Sequence, residues 1–281
     1  MSVCVACNIS DGVIIGVDSA TTIGDPRNPI KIYDGVDKVF ALGDYPVGLA
    51  TYGLAAIGGR TIASWVAELV TLLPSCVPAD YGMEDLVEAI RDFFWKQYEL
   101  IVLQSATPVA EGNASPALPE MLPPILGFVI GGFGKNSFQS EVWNIQLPYH
   151  STVNSALCQI GTGISGSAWF ASMSPIHRYI KGFDQGALQS ICAYINEIRN
   201  LLTPEEMGEI ARRAQQAEFQ FVFPGMPIAK GIEYVRFLID LVIGHHKFAA
   251  GDPIVGGTAN VGFVSFRKEP FQIVKEWRHP S

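Results

Sequence analysis

Ser2 follows the initiator Met1, and a small residue in that place favours removal of the methionine. The processed chain would carry a nucleophilic hydroxyl and a free α-amine on one residue, the amine with an ordinary pKa of about 7.7–8.0. Such an amine is its own general base, directly or through one water, so the hydroxyl needs no histidine. Two charged residues fall where they can assist. Asp18 ends the run Asp11-Gly12-Val13-Ile14-Ile15-Gly16-Val17-Asp18-Ser19, whose Asp11-Gly12 pair is a hairpin turn signal, so the second strand carries the acid back toward Ser2. Lys38 begins another strand after a loop and can pair with Asp18. A cation there lowers the amine pKa and helps to ionise the hydroxyl. Taken alone, each of these two residues also fits a surface salt bridge.

Other spacings compete. Gly161-Thr162-Gly163-Ile164-Ser165-Gly166 is a G-x-G-x-x-G between a predicted strand and a predicted helix, and Asp184 follows about where a ribose-binding acid would stand. Nucleotide binding is therefore a rival reading, although the parallel βαβ units that should surround such a loop are missing. The run from Gly53 to Thr61 departs from a phosphate loop at Arg60, where lysine is needed. Cys4 and Cys7 have redox or zinc spacing, but residues three apart on a strand face opposite sides, and no second pair completes a tetrahedral site. His245-His246 on a helix point in different directions and lack a matched carboxylate, so no metal site is expected. Gly163 to Ser167 misses the last glycine of a nucleophile elbow, and His177 is a poor partner for it.

Those side chains need elements to hold them. Residues 2–9 alternate and 13–17 are β-branched, which predicts an opening β-hairpin. A Gly/Pro/Asn-rich loop from Gly24 to Pro29 follows, then strands at 30–33, 38–42 and 47–52. Apolar positions near period 3.6 predict helices over 57–73 and 83–101. The proline-rich stretch 105–124 is a loop or insertion, after which strands are expected at 125–130, 141–147 and 156–160. Helices are expected over 165–181, 185–200, 204–221 and 227–247; Thr203-Pro204-Glu205-Glu206 supplies a cap, a proline at the first helical position and a capping-box glutamate. The last strands are 260–267 and 271–277. Strands, helices, strands, helices, strands is neither a βαβ alternation nor two separate cores. Two stacked sheets with helices on both outer faces satisfy it: an α+β, four-layer αββα sandwich. A single domain over 1–281 is expected, with a helical insertion around 182–226.

Composition narrows the partners. The chain has 281 residues, 48% hydrophobic and only 16% charged, with a mean hydropathy of +0.24, so it can bury a large core. A net charge of −8 gives no field that draws it to nucleic acid or anionic lipid. Five cysteines, an odd number without scaffold density, fit a reducing compartment, and the cytosol is the expected location. No basic leader precedes an apolar run, and no stretch reaches the roughly 18–20 apolar residues of a membrane span. Scarce surface charge points to apolar area covered by other subunits.

The order of these segments resembles the proteasome β-subunit group of Ntn hydrolases, and most closely the bacterial proteasome-like proteins of the Anbu type. The resemblance rests on Ser2, Asp11 to Ser19, Lys38-Val39, Gly48-Leu49-Ala50-Thr51-Tyr52-Gly53, Ile160-Gly161-Thr162-Gly163 and Asp252-Pro253-Ile254-Val255-Gly256-Gly257, in the family's order over nearly the whole chain, and on the opening Cys4-Val5-Ala6. It implies Ser2 as nucleophile, Asp18 and Lys38 as its charged pair, the Gly53 N–H as oxyanion donor, and Thr162 and Asp252 beside the nucleophile. It also implies an extended peptide held along the backbone of Thr22 and Ala55, with the first specificity pocket near Thr51. The activity so implied is cleavage of peptide bonds in peptides or unfolded proteins inside a homo-oligomeric compartment, without a cofactor, with an unidentified ATPase among the partners it allows. The sequence departs from the family in having serine for threonine, Ala20 after Asp18-Ser19, a longer loop before Lys38, and Val255 for a late serine. The alternative function is an assembly subunit without turnover, which would keep Met1; transfer to an amine acceptor instead of water is a third.

Overall fold

The opening hairpin forms, but its two-residue loop is Ser10-Asp11, and Gly12 already pairs with Ile9. Strands β1 (Val3–Ile9) and β2 (Gly12–Asp18) pair antiparallel with Cys4 opposite Val17, and every residue of both is buried. Strands buried on both faces must lie inside a stack. The computed structural model describes residues 2–25, 28–103, 123–148, 156–199, 203–215, 218–250 and 254–274, and in it these strands are interior members of one of two five-stranded sheets. The first sheet runs β12 (Gly166–Ala171), β1, β2, β13 (Ala259–Ser265), β14 (Gln272–Val274); the second runs β11 (Ala156–Ile160), β10 (Ser140–Leu147), β9 (Leu126–Phe133), β6 (Val47–Gly53), β5 (Val39–Ala41).

Alternation along β1 and β2 divides the apolar residues between two cores. Val5, Cys7, Ile9 and Ile14 pack with Val235, Leu238 and Ile239 of helix α6 (Ile228–Phe248). Cys4, Ala6, Val13, Ile15 and Val17 turn the other way, to Ala50, Tyr52 and Val129 of the second sheet. The far face of that sheet, with Leu49, Leu126, Phe128 and Ile130, meets Trp65 and Leu69 of α1 (Ile62–Cys76) and Leu86, Ile90 and Phe94 of α2 (Met83–Tyr98). The two cysteines thus occupy opposite faces of one strand, as their spacing requires.

Several assignments change; among them, residues 218–221, expected to end the helix over 204–221, are not helical. The segment 165–181 is not one helix: residues 166–171 form β12, antiparallel to β1, and only α3 (Ser174–Lys181) is helical. Its apolar run 168–170 fits a short buried strand as well as a helix turn, and periodicity cannot separate them. The loop expected from Gly24 to Pro29 lies largely within a two-stranded ribbon, β3 (Thr21–Asp25) and β4 (Asn28–Tyr33). A two-stranded ribbon is all edge, so Pro29 costs it no central ladder bond. Finally, α1 begins at Ile62 instead of 57, because β7 (Ala56–Ile57) and β8 (Arg60–Thr61) form a small hairpin and Thr61 Oγ1 accepts the Ser64 N–H at 3.2 Å as the cap.

Helices α4 (Gln185–Arg199) and α5 (Pro204–Gln215) follow. The capping box of α5 forms as read, with Glu206 Oε2 accepting the Thr203 N–H at 2.9 Å and Thr203 Oγ1 accepting the Glu206 N–H at 3.2 Å. Among the described residues, no helix is long and apolar enough to cross a membrane.

Candidate active site

Ser2 sits one residue before β1, at the end of the hairpin where β2 delivers Asp18. The Val3 N–H donates to Asp18 Oδ1 at 3.0 Å, and the Ser172 N–H donates to the Ser2 carbonyl at 2.9 Å, which fixes the peptide group that joins Ser2 to Val3. Lys38 arrives from the other sheet, immediately ahead of β5. Its Nζ donates to Ser2 Oγ at 2.9 Å, lies 3.4 Å from each Asp18 oxygen, and also bonds the Ala20 carbonyl. All three side chains are buried: Ser2 is 4% exposed, Asp18 0% and Lys38 6%.

Asp18 Oδ2 further accepts the N–H groups of Ala20 and Gly256, at 3.3 and 3.4 Å. Burial pushes the Asp18 carboxyl above its ordinary value, while the Lys38 charge and the Val3 and Gly256 N–H groups pull it back. Burial likewise holds the Lys38 ammonium below its ordinary value, against Asp18. A lysine so placed gives up its proton more readily than one in water, and while charged it favours the ionised form of a hydroxyl 2.9 Å away. The neighbouring Ser19 ties the surrounding loops: its Oγ accepts the Thr258 N–H at 2.8 Å and the Gly35 N–H at 3.3 Å.

The remaining predicted residues divide. The Thr51 N–H donates to the Lys38 carbonyl at 2.9 Å, and Thr51 Oγ1 to the Gly127 carbonyl at 3.3 Å, so Thr51 is joined to the lysine through the β5–β6 edge. Gly53 ends β6 two residues past Thr51 and pairs with Leu126 of β9. Gly53 has φ +88, and a Cβ there would lie 2.1 Å from the Ile125 carbonyl oxygen, so the position admits only glycine. Ala55 is exposed, and its carbonyl accepts the Ile62 N–H at 3.1 Å. Thr22 lies on β3 opposite Ile32, with its Oγ1 buried and without a hydrogen-bond partner among the described residues.

Thr162 is misplaced by the sequence reading. Ile164 and Gly166 adjoin Asn8, at the far end of β1 from Ser2, since Asn8 Nδ2 bonds the Ile164 carbonyl at 2.8 Å and pairs in register with Gly166. The glycine run links the two sheets there and leads into strand β12, so no helix N-terminus is available for a phosphate. Asp184, the rival's ribose acid, instead caps α4, accepting the Ala187 N–H at 2.8 Å together with Ser174 Oγ and Arg178 Nε. Asp252 lies outside the described residues. Val255 is buried in the α6-side core and contributes no hydroxyl, as its identity requires.

The residue at the Ser2 end of β12 is Ser172, which the sequence reading passed over. The signal was Ser174-Pro175, a helix opening with an early proline. Starting the helix there converts 166–171 to strand and brings Ser172 to the nucleophile. Ser172 Oγ lies 2.9 Å from His246 Nε2, near the C-terminus of α6, a residue that the sequence marked only as half of a histidine pair unsuited to a metal.

No family model matches the sequence, and no curated protein matches it. Among solved structures, the fold is similar to that of a mutant form of Anbu from Hyphomicrobium sp. strain MC1, with a TM-score of 0.53 and 10% identity over 100% of this chain and 89% of that one. A helical assembly of the Anbu complex from Pseudomonas aeruginosa gives 0.49 and 14% over 99% and 88%, and Anbu from Yersinia bercovieri, described as an ancestral β-subunit, gives 0.47 and 12% over 99% and 88%. The first of these likenesses supports an Anbu-like fold, the class toward which the order of segments pointed.

Proposed function

We propose that this chain is an N-terminal-nucleophile hydrolase of serine type, with the four-layer αββα architecture, which cleaves peptide bonds within a homo-oligomer. The observation that carries the reading is the Lys38 Nζ held 2.9 Å from Ser2 Oγ while it also contacts both oxygens of Asp18. Once Met1 is removed, the Ser2 α-amine takes the hydroxyl proton as Oγ bonds to the scissile carbonyl carbon. The resulting oxyanion is held by the Gly53 N–H. Collapse breaks the carbon–nitrogen bond, the amine product leaves with the proton from the α-ammonium, and an ester remains on Ser2. Water, deprotonated by the same amine, then releases the acid product. Thr22 and Ala55 flank the path of an extended substrate and Thr51 lies at the first specificity pocket. Unfolded protein is the substrate class, the cytoplasm the location, and helices α4 and α5 the insertion on the core.

One observation favours a second reading, an assembly subunit without turnover: Ser2 is only 4% exposed in the chain that carries Met1. Intact mass separates the two, since loss of Met1 is required for the amine to exist. The expected result is a mass lacking the methionine, with peptide cleavage that disappears in Ser2→Ala at unchanged assembly. Quantitative retention of Met1 with no cleavage would establish the second reading, whereas undiminished cleavage by Ser2→Ala would overturn Ser2 as the nucleophile.

A further inference from the structure

Near the C-terminus of α6 stands a histidine that the mechanism above does not use, bonded to a residue that itself bonds Ser2. Ser172 donates its N–H to the Ser2 carbonyl at 2.9 Å, and its Oγ lies 2.9 Å from His246 Nε2. One residue therefore joins the nucleophile's main chain to an imidazole 74 positions further along the sequence. The ring is half-buried, with His245 beside it on the helix at 5.6 Å between centroids and 85° between planes. The other charged groups that act on it are Asp18 from β2 and the chain's amino terminus. Burial chiefly, then His245 and the amino terminus, hold the imidazole below its ordinary pKa, and Asp18 opposes them.

We propose that His246 is a positioning residue of the Ser2 site, acting through Ser172 to orient the processed N-terminus. In its neutral form, with Nε2 unprotonated, the imidazole accepts the Ser172 hydroxyl proton. In its cationic form Nε2 carries a proton and donates to Ser172 Oγ, so the direction of the bond reverses. The productive state needs the neutral imidazole as well as the neutral amine. Protonation of either group then silences the site. Activity should fall with a slope of one below the higher of the two pKa values and a slope of two below the lower.

This inference rests on the hydrolase reading, and the test keeps the two apart. The pH profile of kcat/KM is measured for the processed wild type, His246→Gln and His246→Ala with a peptide substrate. Glutamine keeps an acceptor for Ser172 and does not titrate, so its acid limb should keep a slope of one with near-normal activity at neutral pH. Alanine should lose about tenfold at neutral pH, the worth of one hydrogen bond in the transition state. A wild-type limb of slope one throughout, or an alanine profile that superimposes on wild type, overturns the inference. NMR titration of the His246 ring in wild type and Ser172→Ala needs no turnover. The His246 Nε2 resonance should shift in the variant, which lacks the hydroxyl that donates to it, and an unchanged resonance overturns the inference. Failure of the hydrolase reading shows separately, as retained Met1 or as turnover that survives Ser2→Ala.

Discussion

Asp18 and Lys38 are two charges removed from water, and burial acts against both of them more strongly than their mutual attraction repairs. A buried pair of this kind adds little stability, whereas an orphaned member is costly. Lys38→Met should therefore destabilise the fold by about 3–5 kcal/mol in urea unfolding, because it leaves Asp18 uncompensated. Adding Asp18→Asn should restore most of that loss while leaving the protein inactive. The pH sign follows from the directions of the shifts. A buried acid of raised pKa contributes stability below its ordinary 3.8 and loses it as pH rises through the folded value. The advantage of the double variant should hence grow as pH rises from about 4 through the folded Asp18 value, as read from urea midpoints across that range. Ser2 and Asp18 were legible because any tight turn near Asp11 returns the end of β2 to the start of β1, although the loop closes at Ser10-Asp11, one residue earlier than the Asp-Gly pair suggested. Thr162 was misread because a glycine spacing does not say at which end of a strand it falls. The meeting of Ser172 and His246 was invisible because it depends on where a long helix ends, a tertiary fact.

Glycine governs how the elements approach one another. A Cβ on Gly16 would lie 2.7 Å from both Ile239 Cδ1 and Val235 Cγ1, so α6 crosses β2 where no side chain intervenes. Gly16→Val should push the helix off the strand and cost about 1–3 kcal/mol, measured by urea denaturation. Between the sheets, the ring of Phe271 fills the space beside Gly48 of β6 and Gly262 of β13, where added Cβ atoms would stand 2.1 and 2.2 Å from it. Phe271→Ala should cost about 3–5 kcal/mol, because two glycines cannot close over the cavity. Long periodic helices such as α2 and α6 were read within a few residues of their ends. The errors cluster in short apolar runs and in the ribbon of β3 and β4, where glycine and proline masked the β-branched Thr21, Thr22 and Ile23.

Over the whole molecule, aromatic side chains remain at the surface of the helical side. Tyr179, Phe221 and Phe237 stack from α3, the segment before α6 and α6 itself, and Phe219, in edge contact with Phe221, is 65% exposed. A patch of this kind is the expected footprint of a neighbouring copy. With a net charge of −8 per chain, copies repel at low ionic strength, so assembly seen by sedimentation should strengthen with added salt. Phe219→Glu should weaken assembly with the circular dichroism spectrum unchanged. The composition disclosed the surplus of apolar surface but not its place, which depends on how the helices between β12 and β13 pack.

Ser2 and Asp18 lie at one end of the first sheet, and the Lys38 that joins them enters from the other sheet. The reactive centre is thus stitched across the seam of the molecule, and any slippage of one layer over its neighbour parts it before a single strand unravels. Loss of turnover on gentle heating becomes a gauge of that seam, an internal strain meter that reads the alignment of the layers.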